Sequence, residues 1–359
     1  NYTFTNFMWD NFNIFVSNNF KSRCCVIHVT WSKIIILMNR YCAMAIKKSI
    51  QSKYKRDNAA YKKSRRERGN FLLYVDHDLA NTWYNNGNQN KGRGRPNKYS
   101  DLSITIILKF YYLFNLSLSG SIGFVSSLFS ILGIKLDIPD ESRLSRRGNV
   151  CQNVKHHHNG KSNDPRVYVI DSTGFQIYGE GEWNRKKHGE SKHKRYVKFH
   201  VLVDGSTLQI VDFVATNSDV HDCEVFDQLV NEIPNGSKVL ADGAYGTHDA
   251  YDKAVEKDIY LVAKPKSSDV LNLDSPSTGS MLRNLMVNKF KTKGLYAFAN
   301  KTGYWVRNIV ENRIGAVKHQ FGSKLKSRTV SNQIAELAIK SSIINDFTKM
   351  SMENGLRMS

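Results

Sequence analysis

Between Asp101 and Asn149 apolar side chains recur at helical spacing, with Ile104, Ile107, Leu108 and Tyr111 on one face. Asp101 is placed to cap that helix. "SLSGSIGFVSSLFSILGI" predicts a second helix ending near Gly133, and "PDESRLSRRGN" a third that begins after Pro139 and carries Arg143, Arg146 and Arg147. From Val167 the period changes. "VYVID" is a short β-branched run ending in Asp, and "KFHVLVD" and "LQIVDFVAT" are two strand-like runs joined by "GST" as a hairpin. "HDCEVFDQLVNEI" reads as a helix, "SKVLADGAYG" as a strand ending in Asp-Gly, "HDAYDKAVEKD" as a helix and "IYLVAKP" as a strand, with a long helix to follow. Three strands, helix, strand, helix, strand and a late helix predict a mixed α/β sheet with helices against its faces.

The segment "YWVRNIVENRIGAVKHQF" (304–321) adds a second pattern to its helical period. Val306, Val310, Ile314, Val317 and Phe321 form an apolar stripe that packs the helix onto the sheet. At about 100° per residue, Tyr304, Arg307 and Lys318 fall within about 40° of Glu311. This polar stripe borders the buried face rather than pointing to solvent. A surface helix with an Arg307–Glu311 ion pair at i,i+4 has the same spacing, and periodicity leaves both readings open.

Two aspartates are expected where strands end, Asp171 in "VIDSTG" and Asp242 in "LADGAYG". Functional residues of α/β sheets gather just past the carboxyl ends of strands, although a lone Asp there also serves as a turn or cap. Asp171, Asp242 and Glu311 in one cleft with Arg307 and Lys318 would suit phosphodiester chemistry. Hard divalent cations take oxygen ligands, two ions about 4 Å apart can serve the attacking and leaving oxygens, and Arg and Lys hold phosphates.

Charge narrows the partner. The 359 residues carry a formal net charge of +20, which calls for a polyanion. From Met38 to Lys98 there are 15 Lys/Arg against 4 Asp/Glu, which marks a nucleic-acid-binding arm. It ends in the linker "KGRGRPNKYSD", where Arg93 and Arg95 suit a narrow A·T-rich minor groove; a flexible hinge has the same composition. Short helices followed by a basic one suit a helix-turn-helix reader of DNA, and a plain three-helix bundle gives that pattern too. The triple His156, His157, His158 in a polar linker is read as solvated. Five cysteines with no C-x-x-C pair exclude a disulfide framework and a zinc ribbon, and fit a reducing cytosol. The Leu102–Leu118 run is broken by Lys109 and is shorter than the ~20 residues of a spanning helix, so no membrane partner is expected. Residues 1–43 begin without Met and hold no sustained period; they read as upstream sequence in frame, with Met38 or Met44 as starts.

These blocks together resemble a family. Tyr304, Arg307, Glu311 and Lys318 have the spacing of the Y-R-E-K signature of DDE transposases from bacterial insertion sequences. "VIDSTG" and "ADGAYG" match that family's first and second Asp blocks. "YGEGEWNRKKHG", "KFHVLVD", "KHQFGSKLKSR", "YKKSRRERGN", "GRGRPNKYSD" and "PDESRLSRR" are similar to the branch called insertion sequence family five. The likeness covers roughly residues 44–350. It implies a ribonuclease H-like mixed-sheet catalytic domain at 161–350, preceded by a basic arm and linker at 44–98 and a small helical DNA-binding region at 99–160, with a tail at 351–359. It implies Asp171, Asp242 and Glu311 as catalytic, metal-binding residues for Mg²⁺ or Mn²⁺, two ions in number, and Tyr304, Arg307 and Lys318 as contacts to the DNA end. Trp183 matches a family tryptophan. The implied activity is binding of terminal inverted repeats, cleavage of element ends and joining of 3′-hydroxyls to target DNA. The implied partners are double-stranded DNA and a second copy of the chain, as a homodimer or higher assembly, at the nucleoid in a bacterial cytoplasm. A silent DNA-binding remnant, or a nuclease without strand transfer, would share the fold. Only 68 residues separate Asp242 from Glu311, which leaves little room for an inserted domain.

Overall fold

The computed structural model describes residues 58–70, 79–85, 96–149, 165–177, 196–274 and 277–353. Residues 1–57, Arg93, Arg95, the three consecutive histidines, Trp183 and residues 354–359 lie outside the described residues.

Among the described residues five helices precede the sheet: α1 (Asn58–Glu67), α2 (Leu79–Thr82), α3 (Asp101–Leu113), α4 (Leu118–Ile131) and α5 (Glu141–Arg147). Side-chain oxygens start the last three. Ser100 accepts from the Ser103 N–H at 3.1 Å, Ser117 from Gly120 at 3.0 Å and Asp140 from Arg143 at 2.8 Å. Ser100 thus caps α3, not Asp101 as expected. Asp101 lies one residue inside and pairs with Arg147. Arg147 also donates to the Tyr99 carbonyl at 2.5 Å, and Arg143 stacks over the Tyr99 ring at 5.7 Å. Two of the three α5 arginines therefore fasten α5 to the start of α3. Gly133, at φ 68°, turns the chain after α4 where a side chain would be strained. Among the described residues no single helix is long and apolar enough to cross a membrane; α3 and α4 reach that length only together, bent by 111°.

The sheet follows in the expected order. β1 (Val167–Ile177), β2 (Tyr196–Asp204) and β3 (Ile210–Asn217) form an antiparallel meander. Asp204 shapes the β2–β3 turn by accepting from the Ser206 N–H at 2.7 Å and from Arg166 at 3.0 Å. The segment expected as one helix after β3 is instead a 3₁₀ turn, Asp222–Val225, and a single α-turn, α6 (Phe226–Leu229). Its first residue is held by contacts to the sheet, which fixes where the turn begins. β4 (Lys238–Ala241), α7 (His248–Glu256) and β5 (Tyr260–Ala263) complete the sheet in the order β3-β2-β1-β4-β5, with β4 parallel to β1 and β5 parallel to β4. Then come α8 (Thr278–Thr302), α9 (Asn308–Phe321), the short β6 (Lys324–Leu325) beside β1, and α10 (Val330–Glu353).

One continuous core runs from Leu79 and Trp83 through Val169, Phe199 and Val262 to Ile344 and Met350. α10 carries it from the helices to the sheet: it packs against α1, α3, α9 and β3, and Lys109 on α3 pairs with Asp346 at 2.7 Å. At its start Glu336 is fully buried. It accepts from the Lys326 and Ser327 N–H groups at 3.0 and 2.9 Å and pairs with buried Lys340 at 2.6 Å. Removing one partner of such a pair leaves a buried charge uncompensated, which costs about 3–5 kcal/mol. Glu336→Ala is expected to lower urea stability by about that amount, and a loss under ~1 kcal/mol, the range of an exposed pair, would contradict this account.

Candidate active site

β1 does not stop at Asp171. Its eleven residues pair with β2 from Tyr168↔Asp204 to Gln176↔Tyr196, so Asp171 stands in mid-strand opposite Val201. The expectation of a strand end fails because β2 is long enough to keep β1 extended. The parallel ladder to β4, however, ends at Val169↔Leu240. Asp171 and Asp242 each lie two residues past that last pair, so the sheet opens beside both. Side chains alternate along β1: Asp171 and Thr173 belong to one face and Ser172 to the other.

On the first face lies the segment from Gly303 to Phe321. It is not one helix from Tyr304, as its periodicity suggests. Gly303 takes φ 71°, Tyr304–Arg307 form a 3₁₀ turn, and α9 starts at Asn308. The apolar stripe is as expected, with Val306, Val310, Ile314 and Val317 buried and Phe321 packed at the margin. Tyr304 is buried too. The tighter turn brings Arg307 over β1, where its guanidinium donates to Asp171 Oδ2 at 2.9 Å and to Glu311 Oε1 at 2.7 Å. Arg307 and Asp171 are largely shielded, with 17% and 16% of their side chains exposed, whereas Glu311 is 54% exposed. Three turns on, Lys318 donates to Thr173 Oγ1 at 2.5 Å and lies over the Phe175 ring. Both cations of the polar stripe thus reach back to one face of β1.

Asp242 follows β4 directly and begins a 3₁₀ turn without making a capping hydrogen bond. A Cβ on the next residue, Gly243, would stand 2.7 Å from the Lys264 carbonyl, so only glycine lets this turn close on the chain after β5. Asp242, Lys264, Leu295, Tyr304, Trp305, Arg307 and Asn308 line a cleft of about 130 Å³. Asp242, Tyr304 and Arg307 thus share this cleft, and Asp171 and Glu311 adjoin it through their bonds to Arg307.

The other face of β1 holds a polar network that the sequence reading missed. Ser172 donates to Asp222 at 2.9 Å, and Lys198 donates to the same carboxylate at 3.1 Å. His200, the cross-strand partner of Ser172, is fully buried and bonds to the Tyr245 hydroxyl at 3.1 Å and to Thr216 at 3.0 Å. Tyr245 belongs to the turn that carries Asp242. The network thus ties the Asp171 strand to the Asp242 turn from beneath. Its signal was present in "YVKFHVLVD", where Lys198 and His200 share one face and the other face is wholly apolar.

Electrostatics follow the geometry. Burial raises the Asp171 carboxyl above its ordinary range; Arg307 works against that and nearby Asp242 adds to it. Burial also opposes the Arg307 charge, but Asp171, Asp242 and Glu311 outweigh it and hold the guanidinium protonated. Burial, with the surrounding carboxylates, keeps the Tyr304 phenol protonated. Three carboxylates form an all-oxygen donor set that suits a hard divalent cation. Yet among the described residues no three His, Cys, Asp or Glu side chains stand close enough together to hold one ion. The expected three-carboxylate shell is not formed in this arrangement, because Arg307 occupies the space between Asp171 and Glu311 and supplies the positive charge itself.

Burial lowers the His200 pKa from 6.5, so the folded protein keeps this ring neutral. A group whose folded pKa is depressed favours folding above its unfolded pKa, and that contribution is lost as pH falls toward the folded value. Thermal stability is therefore expected to decline as pH drops below about 6.5, and to decline less in His200→Gln, which does not titrate. Parallel melting-temperature profiles for the two proteins would contradict the role given to His200.

Residues 162–345, more than half of the chain, match a family model described as a transposase DDE domain, and residues 66–180 match a second model of the same description. Among solved structures, a chain of "Crystal structure of a pre-cleavage Mos1 transpososome" is 13% identical, with 74% of this chain and 82% of that chain covered at a TM-score of 0.20. That score is too low to carry an argument about fold. The first family match runs from just before β1 into α10 and so spans every element that lines the cleft. The chain belongs to the transposase DDE domain family.

Proposed function

We propose that this protein is an insertion-sequence transposase of the family-five type. It binds the terminal inverted repeats of its element, cleaves the DNA ends and joins the 3′-hydroxyls to target DNA. The observation that carries this reading is the bridging of Asp171 and Glu311 by Arg307 at the mouth of a cleft that Asp242 and Tyr304 also line. Asp171, Asp242 and Glu311 would hold Mg²⁺ or Mn²⁺, which supplies Lewis-acid activation of the attacking oxygen and stabilisation of the leaving one. The protein's own residues orient the DNA. Arg307 presents a planar fork that suits two phosphate oxygens. Lys318, braced on Thr173, adds a second cation on the same face of β1. Tyr304 stays a protonated donor beside the carboxylates. The arm at 44–98 supplies sequence-independent grip through phosphates, Arg93 and Arg95 enter a narrow A·T-rich minor groove, and a homodimer brings two ends together.

Glu311→Gln keeps the shape of the side chain and removes its charge. Cleavage of inverted-repeat DNA in Mg²⁺ is expected to fall by more than about a hundredfold, since even partners of metal ligands cost 10–100-fold, while end binding stays largely intact. Equal cleavage by variant and wild type would overturn the assignment. A joined-strand product separates the transposase from a nuclease on the same fold.

Arg307 and a divalent cation compete for the same two carboxylates. Arg307→Gln is expected to raise the affinity of the DNA-free protein for Mn²⁺, read as loss of the free-ion electron paramagnetic resonance signal. If Arg307→Gln binds Mn²⁺ no better than wild type, Arg307 does not stand in the cation's place.

A further inference from the structure

α8 ends beside the cleft, and its surface has a single sign. Between Asp274 and Glu311 the chain contains no Asp or Glu, while it contains Arg283, Lys289, Lys291, Lys293, Lys301 and Arg307. Arg283 is buried and committed to Asp269 and the Gly246 carbonyl, so the lysines make the surface. They are crowded. α8 breaks at Gly294, whose φ of 71° and ψ of 173° are not helical. Lys293 and Lys301 are eight residues apart, a rise of about 12 Å in a straight helix. They nevertheless act on one another across the break: burial, then contact with Lys293, then the charge of Lys289, lowers the Lys301 pKa. Lys289 also acts on buried Lys238, whose pKa burial brings down to about 8. A cluster of like charges of this kind suits a polyanion.

The second observation is aromatic. Just past the break, Tyr296 is 73% exposed. Its ring lies 6.1 Å from that of Trp305, which is held in place by donation from Nε1 to Asn300 Oδ1 at 2.9 Å. Trp305 and Leu295 line the cleft with Asp242 and Arg307. A fixed indole, an exposed phenol and a row of lysines leading to a phosphodiester site match the recognition of a strand whose base faces are open. A duplex keeps those faces covered, and a second copy of a chain with a net charge of +20 would meet this surface with repulsion.

We propose that the surface from Lys289 to Trp305 binds an unpaired DNA strand on its way into the cleft, with phosphates on Lys289, Lys293 and Lys301 and bases stacked on Tyr296 and Trp305. This rests on the transposase reading and goes beyond it: the end that reaches the carboxylates is held frayed, not paired.

The test uses the full chain in EDTA, a duplex with a short unpaired 3′ tail carrying 2-aminopurine, and a blunt duplex of the same sequence. The wild-type protein is expected to quench the tail fluorescence and to prefer the tailed DNA about tenfold, within the range of one stacked base. Tyr296→Ala, at an exposed position, is expected to lose that preference and the quenching while binding blunt duplex as before, and Tyr296→Phe to retain both. Lys293→Ala with Lys301→Ala is expected to weaken binding to both DNAs and to lower the salt slope by about one to two. Equal losses on both DNAs for Tyr296→Ala, or quenching that survives it, would overturn the proposal. So would equal binding of the two DNAs by wild type. A wild-type protein that prefers and quenches the tail but never cleaves inverted-repeat DNA in Mg²⁺ keeps the strand site and discards the transposase reading. One that cleaves without tail preference does the reverse.

Discussion

The guanidinium of Arg307 joins two carboxylates that the chain places 140 positions apart, Asp171 on the central strand and Glu311 on α9. Each partner needs the other. Asp171 is shielded enough that its charge is disfavoured, and Arg307, charged in any case, opposes that cost while the carboxylates around it offset its own burial. The Arg307 Nε is buried and has no hydrogen-bond partner among the described residues, which concentrates the group's bonding on the two carboxylates. Breaking a pair of this kind costs a few kcal/mol because an uncompensated charge remains. α9 therefore sits where it does for two reasons at once: its apolar stripe packs on the sheet, and its first turn is pinned by charge. The surrounding features serve that placement, including the left-handed Gly303, the 3₁₀ turn after it and the braced Lys318.

The two faces of β1 divide the work. One carries Asp171 and Thr173 toward α9. The other carries Ser172 onto Asp222, beside His200 and Tyr245. Because Tyr245 lies three residues after Asp242, a hydrogen bond on the buried face sets the position of a carboxylate in the cleft. A neutral His200 suits this task, since the ring can donate to one hydroxyl and accept from the other. Burial disfavours the charged ring; Asp222, 3.8 Å away, works against that and Lys198 adds to it.

Much of this was legible in the sequence, and the failures have physical causes. The order of strands and helices follows from period alone, and so does the α9 stripe, because Val310, Ile314 and Val317 answer only to burial. The strand end at Asp171 was misread because extension there depends on β2, a segment more than twenty residues away. The break at Tyr304–Arg307 was missed because a 3₁₀ turn keeps nearly the same apolar spacing as an α-helix over four residues. Arg307 and Lys318 of the polar stripe border the buried face as expected, whereas Glu311 is half exposed and Tyr304 goes deeper than its period implies because the tighter turn rotates it inward. Asp222 could not be found from spacing, since its partners Ser172 and Lys198 come from two other strands. Lys198 and His200 were visible as an alternation in β2 that apolar burial does not explain.

The carboxylates of the site carry a charge opposite to that of the molecule, and Arg307 stands among them. Lys289, Lys291, Lys293 and Lys301 favour an approaching polyanion, whereas Asp171, Asp242 and Glu311 repel it. Only a cation among the carboxylates lets a phosphate come near them. In the free protein that cation is Arg307, a fixed +1 with its fork already occupied on both sides. On the proposed function, a phosphate that draws Arg307 outward uncovers Asp171 and Glu311 at the moment when DNA is present to share a divalent ion with them. Affinity for the ion and affinity for the DNA are then linked, and by reciprocity each raises the other.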